Sequence, residues 1–338
     1  MHPPADTDGG EVAELLLPPN LDPDRVRPLQ NGRTLTLSGE TMGTGWNLSA
    51  VVPPEIDDTQ IVQALEQRFA MVIAQMSQWE PESEISRFNR AAPGSSLPLS
   101  RPFAHVLDSA LVLAQVSDGA FDPTLGAASD LWGFGAVPAP AAMPGRETAK
   151  ATRKLNWRDV ALSHNDCTLV QPGGLQLDLS GIAKGFAVDF GIDTLEQIGV
   201  RHALLEIGGE LRGIGVQADG QPWWVDLDIP PDSDSPTARI GLCGWAIATS
   251  GNYRRRREAD ARSWSHSLDP QTGIPVADDV LSVSVLHTGC MQADGLATLL
   301  LILGPERAMH FADTHGIPAR MVTDKATIAS RAWKAWLH

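Results

Sequence analysis

Ile61, Leu65, Phe69, Val72, Ile73 and Met76 recur at steps of three and four residues with a step of one between Val72 and Ile73, so they share one helical face. That spacing predicts an amphipathic helix over 59–76. A second helix is predicted over about 102–117, on Val106, Leu107, Ala110, Leu113 and Ala114, stopped by Asp118-Gly119. Leu35 and Leu37, then Trp46, Leu48 and Ala50, alternate with polar residues instead, which predicts a hairpin about Gly43-Thr44-Gly45. Strands are expected near 168–178, a helix from about 183 to 198, and a strand-rich block over 203–248. Turns in that block fall at Gly208-Gly209, Ala218-Asp219-Gly220 and Pro230-Pro231-Asp232. Leu281–Leu286 reads as a strand, and 294–303 as a helix ended by Gly304 and Pro305. Residues 136–152, rich in Ala, Pro and Gly, read as a loop. Residues 1–32, rich in Pro, Asp and Gly, read as a poorly ordered arm ahead of one domain over 33–338. Helices and strands mix without a βαβ rhythm, so the expected class is α+β.

Composition narrows the function. With 26 Lys and Arg against 41 Asp and Glu, the formal charge is −15. A chain so acidic is a poor nucleic-acid binder, because phosphate backbones must be met by cations. An anionic ligand would need local help from a metal, a lysine or backbone amides. No apolar run approaches the ~18 residues of a transmembrane helix. The three cysteines, Cys167, Cys243 and Cys290, are odd in number and form no CxxC, so buried free thiols are expected rather than a disulfide framework or a zinc site. The first residues lack the basic and apolar regions of a signal peptide, so a cytoplasmic location is expected of the chain as written, or a periplasmic one if an upstream signal has been removed.

Several short segments carry candidate chemistry, each with a plainer alternative. Asp294 and Thr298 lie one helical turn apart and offer two hard oxygen donors of the kind Mg²⁺ takes; an Asp at a helix start is otherwise a cap. Asp178-Leu179-Ser180-Gly181-Ile182-Ala183-Lys184 reads as a strand end turning into a helix. Lys184 in the first turn opposes the helix dipole unless an anion is bound there; otherwise it is a solvated lysine. Gly208-Gly209-Glu210 permits close backbone approach by a ligand, or is a hairpin turn. Phe121, Trp132 and Phe134 either pack on a bound ligand or fill core. His266 precedes a tight turn, as a proton carrier or as a structural histidine. Arg254 to Arg257 form a solvated face or hold a phosphate or an acidic partner.

The order of these segments is more specific than any one of them. Thr41-Met42-Gly43-Thr44, Met76-Ser77-Gln78-Trp79 with Ser83 to Asn89, Gly119 to Thr124, Asp178 to Gly185, Gly208-Gly209-Glu210, Thr249-Ser250-Gly251, Ser265 to Gly273 and Ala293 to Thr298 follow one another over about 41–304. That series resembles the FAD:protein FMN transferase family. The resemblance implies the family's α+β architecture, related to tunnelling-fold domains, with FAD in a cleft between subdomains. It implies FAD contacts at Met42, Trp79, Ala120, Phe121, Asp122, Asp178, Lys184 and Leu268. It implies Mg²⁺ held by the side chains of Asp294 and Thr298 and by backbone oxygens of Gly181 and Ala297, and a catalytic role for His266. The reaction so implied moves FMN from FAD to a Ser or Thr hydroxyl in a flavinylation motif of an acceptor protein and releases AMP, with Lys184 and the metal neutralising the pyrophosphate. Two positions depart from the family pattern: Trp79 stands where Tyr is common, and Ser180 where Gly is common. The family is often exported or lipid-anchored, and no signal or lipid-attachment cysteine stands near the start of this chain. Two other functions share the site: hydrolysis of FAD to FMN and AMP, and FAD binding without chemistry.

Overall fold

The computed structural model describes residues 14–23, 26–231, 233–253, 255–259 and 262–338. At its centre is an eight-stranded sheet. Its strands are β1 (Arg33–Thr41), β2 (Thr44–Val52), β3 (His202–Ile207), β4 (Glu210–Ile214), β5 (Trp245–Gly251), β6 (Val280–His287), β7 (Ala319–Thr323) and β8 (Thr327–Ala329). They lie side by side in chain order, and every neighbouring pair is antiparallel. The β1–β2 turn puts Met42 at φ 48° and Gly43 at φ 71°. Two consecutive positive φ values match the right-handed twist of the flanking strands, and the predicted hairpin forms there.

The period of two sends alternate strand residues to two different cores. Leu48, Ala50, Val52, Leu205, Ile207, Ala246, Val283 and Val285 face a helical layer. That layer comprises α1 (Asp58–Met76), α2 (Arg101–Val116), α3 (Ala183–Gln197) and α4 (Cys290–Leu303), with α5 (Pro305–His315) following. Val51, Leu204, Leu211, Ile247 and Leu286 face the other way, onto a small sheet of 14–16, 223–226 and 238–242 and onto Trp333 and Trp336. Both faces are covered, which is why β3 is buried at every residue. The architecture is α+β. A third, satellite core gathers Ala128, Trp132, Ala149, Trp264 and Leu268 beside the main body.

Five expectations change. Glu14–Leu16, inside the stretch read as an arm, pairs in parallel with 238–240, and Leu16 is fully buried; residues 1–13 lie outside the described residues. The stretch 136–152 contains a helix at Arg146–Ala151. Of 168–178 only Thr168–Val170 is a strand. Gly173 and Gly174, at φ 115° and 80°, take the chain out of the ladder. Leu177 then gives its N–H to Asn89 Oδ1 (2.8 Å) and takes a bond from Asn89 Nδ2 (2.9 Å) on its carbonyl, so a side-chain amide replaces the neighbouring strand. The last helix begins at Cys290, which makes Asp294 an interior residue and not a cap. The cysteines are free, but only Cys290 is buried; Cys167 and Cys243 are partly exposed. No helix among the described residues is long and apolar enough to cross a membrane.

Candidate active site

A cleft of about 1200 Å³, open mouth included, runs between the main body and the satellite core. Its floor is built where α3 and α4 meet. The two helices approach so closely at Gly185 that a Cβ there would stand 2.4 Å from the Cys290 carbonyl oxygen and 2.8 Å from Asp294 Cβ. α4 has no capping side chain of its own. Its first amides, Cys290 and Met291, donate to the two carboxylate oxygens of Asp189 on α3, each at 2.9 Å, and Arg212 Nη1 on β4 braces the same carboxylate at 2.8 Å. An anion held at a helix start stabilises it and fixes its position.

Asp294, the fifth residue of α4, takes the Gly185 N–H on Oδ2 (2.9 Å). Oδ1 has no protein donor among the described residues and belongs to a cleft-lining side chain. Burial raises the Asp294 pKa, and Lys184 only partly offsets it. One turn on, Thr298 Oγ1 shares a 3.1 Å hydrogen bond with Ser250 Oγ at the end of β5. Gly181 faces Thr298 so closely that a Cβ would lie 3.2 Å from its Oγ1. A carboxylate oxygen, a hydroxyl and an adjacent main chain with no side chain in the way are hard oxygen donors, with room for water or phosphate to complete a shell. The residues present fit Mg²⁺.

Lys184 donates to Glu210 Oε2 on β4, across the same floor. Burial would lower the lysine's pKa, but Glu210 and Asp294 outweigh it and hold Lys184 above its ordinary value. Burial pushes Glu210 up to about 7 despite the ammonium beside it. Lys184 therefore stands in the first turn of α3 with its charge already met by a protein carboxylate, where the sequence offered a bound anion or a solvated lysine.

On the facing wall, Asp122 is buried and saturated. Its Oδ1 takes the Thr124 N–H (2.9 Å) and hydroxyl (2.7 Å), and its Oδ2 takes Arg153 Nη2 (2.5 Å). Arg153 also donates to the Thr124 carbonyl (2.8 Å) and the Pro270 carbonyl (2.8 Å), tying two cleft loops together. Asp178 accepts Ser129 Oγ (2.6 Å), the Ser180 N–H (2.9 Å) and the Ser180 hydroxyl. His266 stands edge-on to Phe134, with ring centroids 6.0 Å apart. Its Nδ1 is buried and has no hydrogen-bond partner. Burial first, and the Arg255 guanidinium second, lower its pKa to about 4, so the imidazole is neutral and can accept a proton.

The sequence model of the ApbE family matches residues 42–321. The chain belongs to the ApbE family. Among its relatives is an FAD:protein FMN transferase of Vibrio cholerae, 38% identical over 288 residues, 85% of this chain and 86% of the relative. Another, from Haemophilus influenzae, is 34% identical over 89% of this chain and 91% of its own length. The fold matches a flavin transferase ApbE from Vibrio cholerae with a TM-score of 0.83 at 35% identity, covering 90% of this chain and 100% of that one. A flavinyl transferase ApbE of Pseudomonas stutzeri, in its apo form, gives 0.83 at 32% identity, covering 90% and 97%.

In this ApbE protein the cleft brings together Phe121, Asp122, Asp178, Gly181, Lys184, His266, Leu268, Asp294 and Thr298 of the residues named from the sequence. The other four lie elsewhere. Met42 occupies the β1–β2 turn, and Ala297 is buried within α4 beside Thr298. Ala120 lines a neighbouring hollow that shares Ile302 with the cleft. Trp79, half exposed, donates its indole N–H to the Gly135 carbonyl (3.2 Å), next to cleft-lining Phe134. Ser180, where the family commonly has Gly, supplies an extra donor to Asp178. Sequence reasoning did not single out Asp189, Arg153 or Glu210 as site residues. Glu210 was visible only as the end of Gly208-Gly209-Glu210; the other two have no local signal. Arg254 lies outside the described residues.

Proposed function

We propose that this protein is a Mg²⁺-dependent FAD:protein FMN transferase that attaches FMN to a Ser or Thr hydroxyl of an acceptor protein and releases AMP. The observation that carries the reading is the convergence, in one cleft, of the Asp294–Thr298–Gly181 donor set with a neutral His266 whose Nδ1 has no hydrogen-bond partner. FAD would lie along the cleft against Phe121, Asp122, Asp178, Lys184 and Leu268, with Met42, Trp79 and Ala120 as outlying contacts. Asp294, Thr298 and the backbone of Gly181 and Ala297 would hold the magnesium, which supplies positive charge to the pyrophosphate oxygens.

The chain's own residues do the rest. The acceptor hydroxyl oxygen forms a bond to the FMN phosphorus while the bond from that phosphorus to the bridging oxygen breaks. The hydroxyl proton passes to a ring nitrogen of His266, and AMP leaves with the bridging oxygen and its electron pair. Little covalent work falls to the protein; positioning and charge stabilisation carry most of the rate. Asp189 takes part at one remove, by fixing the start of α4 and therefore the register of Asp294 and Thr298.

The test is purified protein with FAD and Mg²⁺, with and without a domain bearing a candidate acceptor threonine, followed by mass spectrometry of the acceptor and assay of AMP. An FMN-sized gain on the acceptor with matching AMP supports the transferase. AMP and free FMN at equal rates with every acceptor tried point instead to hydrolysis. Bound FAD with no AMP at any Mg²⁺ concentration points to a binding protein.

A further inference from the structure

The described residues lining the cleft include four carboxylates, Asp122, Asp178, Glu210 and Asp294, and two permanent cations, Lys184 and Arg255. Lys184 is held by Glu210. Asp122 is met by Arg153, which leaves Asp178 and Asp294 without a cation of their own among the described residues, so a bound Mg²⁺ beside Asp294 would offset these two and leave the pyrophosphate's own charge to be met elsewhere. Among its described residues, the arginine run supplies the remaining candidate. Arg256 is paired bidentately with Asp278, at 2.9 and 2.8 Å. Arg257 donates to the Gly133 carbonyl at 3.1 and 2.8 Å and lies over the Phe134 ring. Arg255 faces the cleft with no ion-pair partner among the described residues.

Its place is set by the ribbon it belongs to. Residues 256–259 pair antiparallel with 262–265, Arg256 opposite Ser265 and Arg257 opposite Trp264. One register step further puts Arg255 opposite His266, and residues directly opposite on an antiparallel pair project to the same face. Both line the cleft. At the other end of the segment, Ser250 is bonded to Thr298. Ser250 and Arg255 thus line the cleft at its metal-site end and at its histidine end.

We propose that Arg255 binds FAD directly, its guanidinium holding a phosphate oxygen of the pyrophosphate on the His266 side of the cleft. The assignment rests on the transferase reading above and adds to it a catalytic cation that Lys184, already paired, does not provide. The planar fork matches two phosphate oxygens, and beside His266 it meets the charge spread over the non-bridging oxygens of the phosphorus under attack.

The experiment compares wild type, Arg255→Ala and Arg255→Lys in the full chain, measuring AMP formation against FAD concentration and equilibrium binding of FAD and of riboflavin, which lacks phosphate. Arg255 is exposed, so both variants should melt with the wild type. Loss of one charge-assisted contact predicts FAD binding weaker by about tenfold or more in Arg255→Ala. AMP formation should be slower, riboflavin binding within about twofold of wild type, and Arg255→Lys in between, since it keeps the charge but not the fork. Equal loss of riboflavin and FAD binding would show a structural role and overturn the proposal. FAD binding and turnover within about twofold of wild type, in a preparation that does label its acceptor, would overturn it and leave the transferase reading standing. If wild type itself neither releases AMP nor labels an acceptor, the transferase reading fails, and the FAD-to-riboflavin comparison still decides whether Arg255 holds phosphate.

Discussion

Lys184 and Glu210 form an ion pair across the cleft floor, in which the glutamate side chain is almost wholly enclosed, at 3% exposure, and the lysine side chain keeps 31%. The asymmetry means that the carboxylate depends on the ammonium more than the reverse. Lys184→Met would leave Glu210 buried beside Asp294 with no cation, the case in which removing one partner costs most. Glu210 would respond by protonating, its pKa rising beyond about 7, against 4.5 in the unfolded chain. A carboxylate with a raised folded pKa favours the folded state below its unfolded pKa and loses that contribution as pH rises through the folded value. Lys184→Met should therefore be destabilised by about 2–3 kcal/mol at pH 8 and by much less at pH 5, read from thermal melts at the two pH values. Equal loss at both would mean that Glu210 is not the group left stranded.

Gly181, in the turn that leads into α3, and Gly185, in the first turn of that helix, predict opposite phenotypes. A Cβ on Gly185 would meet backbone, the Cys290 carbonyl, so α3 and α4 must separate. Gly185→Ala should cost about 1–3 kcal/mol of stability and abolish transfer. A Cβ on Gly181 meets the Thr298 side chain at 3.2 Å, which can give by a few tenths of an ångström. Gly181→Ala should melt close to wild type but need more Mg²⁺ for half-maximal AMP release, because the new methyl crowds the hydroxyl.

The sequence made the elements legible wherever burial follows a single period. α1 and α2 were readable from Ile61–Met76 and Val106–Ala114, and the first hairpin from its alternation and glycines. The order of the short motifs located most of the cleft. The stretch before Asp178 misled for a physical reason. Leu175, Leu177 and Leu179 alternate into the core as a strand would, at 1%, 0% and 1% exposure, yet their neighbour is the Asn89 amide and not another strand. Pairings made by tertiary packing left no local mark. Lys184 and Glu210 are 26 residues apart, Asp122 and Arg153 are 31, and Asp189 caps a helix about a hundred residues downstream. Arg153 lay in a segment whose Ala, Pro and Gly content reads as loop.

Asp189 separates positioning from chemistry. Asp189→Asn keeps one acceptor for the α4 amides but loses the charge and weakens the bond from Arg212. Asp294→Asn keeps a carbonyl oxygen able to accept the Gly185 N–H but loses a metal-binding charge. The expected split is a fall in AMP release on the order of 10²-fold for Asp294→Asn, unrescued by excess Mg²⁺ and with the melting temperature nearly unchanged. Asp189→Asn should lower the melting temperature and show a milder loss of rate. Steady-state assays across a Mg²⁺ series, paired with melts, measure both. A larger rate loss for Asp189→Asn than for Asp294→Asn would reverse the roles.

His266 should titrate with a midpoint of about 4 in the free protein, against an ordinary value of 6.5, because burial and then the Arg255 charge oppose its protonated form. Between those two pH values the unfolded chain binds a proton at this site that the folded chain refuses. This site therefore favours folding above pH 6.5, and its contribution falls as pH drops towards 4. The neutral imidazole is the form needed to accept a proton, so transfer should not fall between pH 8 and 6 on account of His266. Each change in local charge should move the midpoint with a definite sign. Arg255→Ala removes a repelling cation and should raise it. Bound FAD places phosphate charge close by and should raise it as well, strengthening the base only when substrate is present. Nitrogen chemical shifts of the imidazole followed through a pH series, for the free protein, its FAD complex and Arg255→Ala, test all three. A midpoint near 6.5 in the free protein, indifferent to both changes, would show that the ring faces open solvent and not the enclosed wall opposite Lys184.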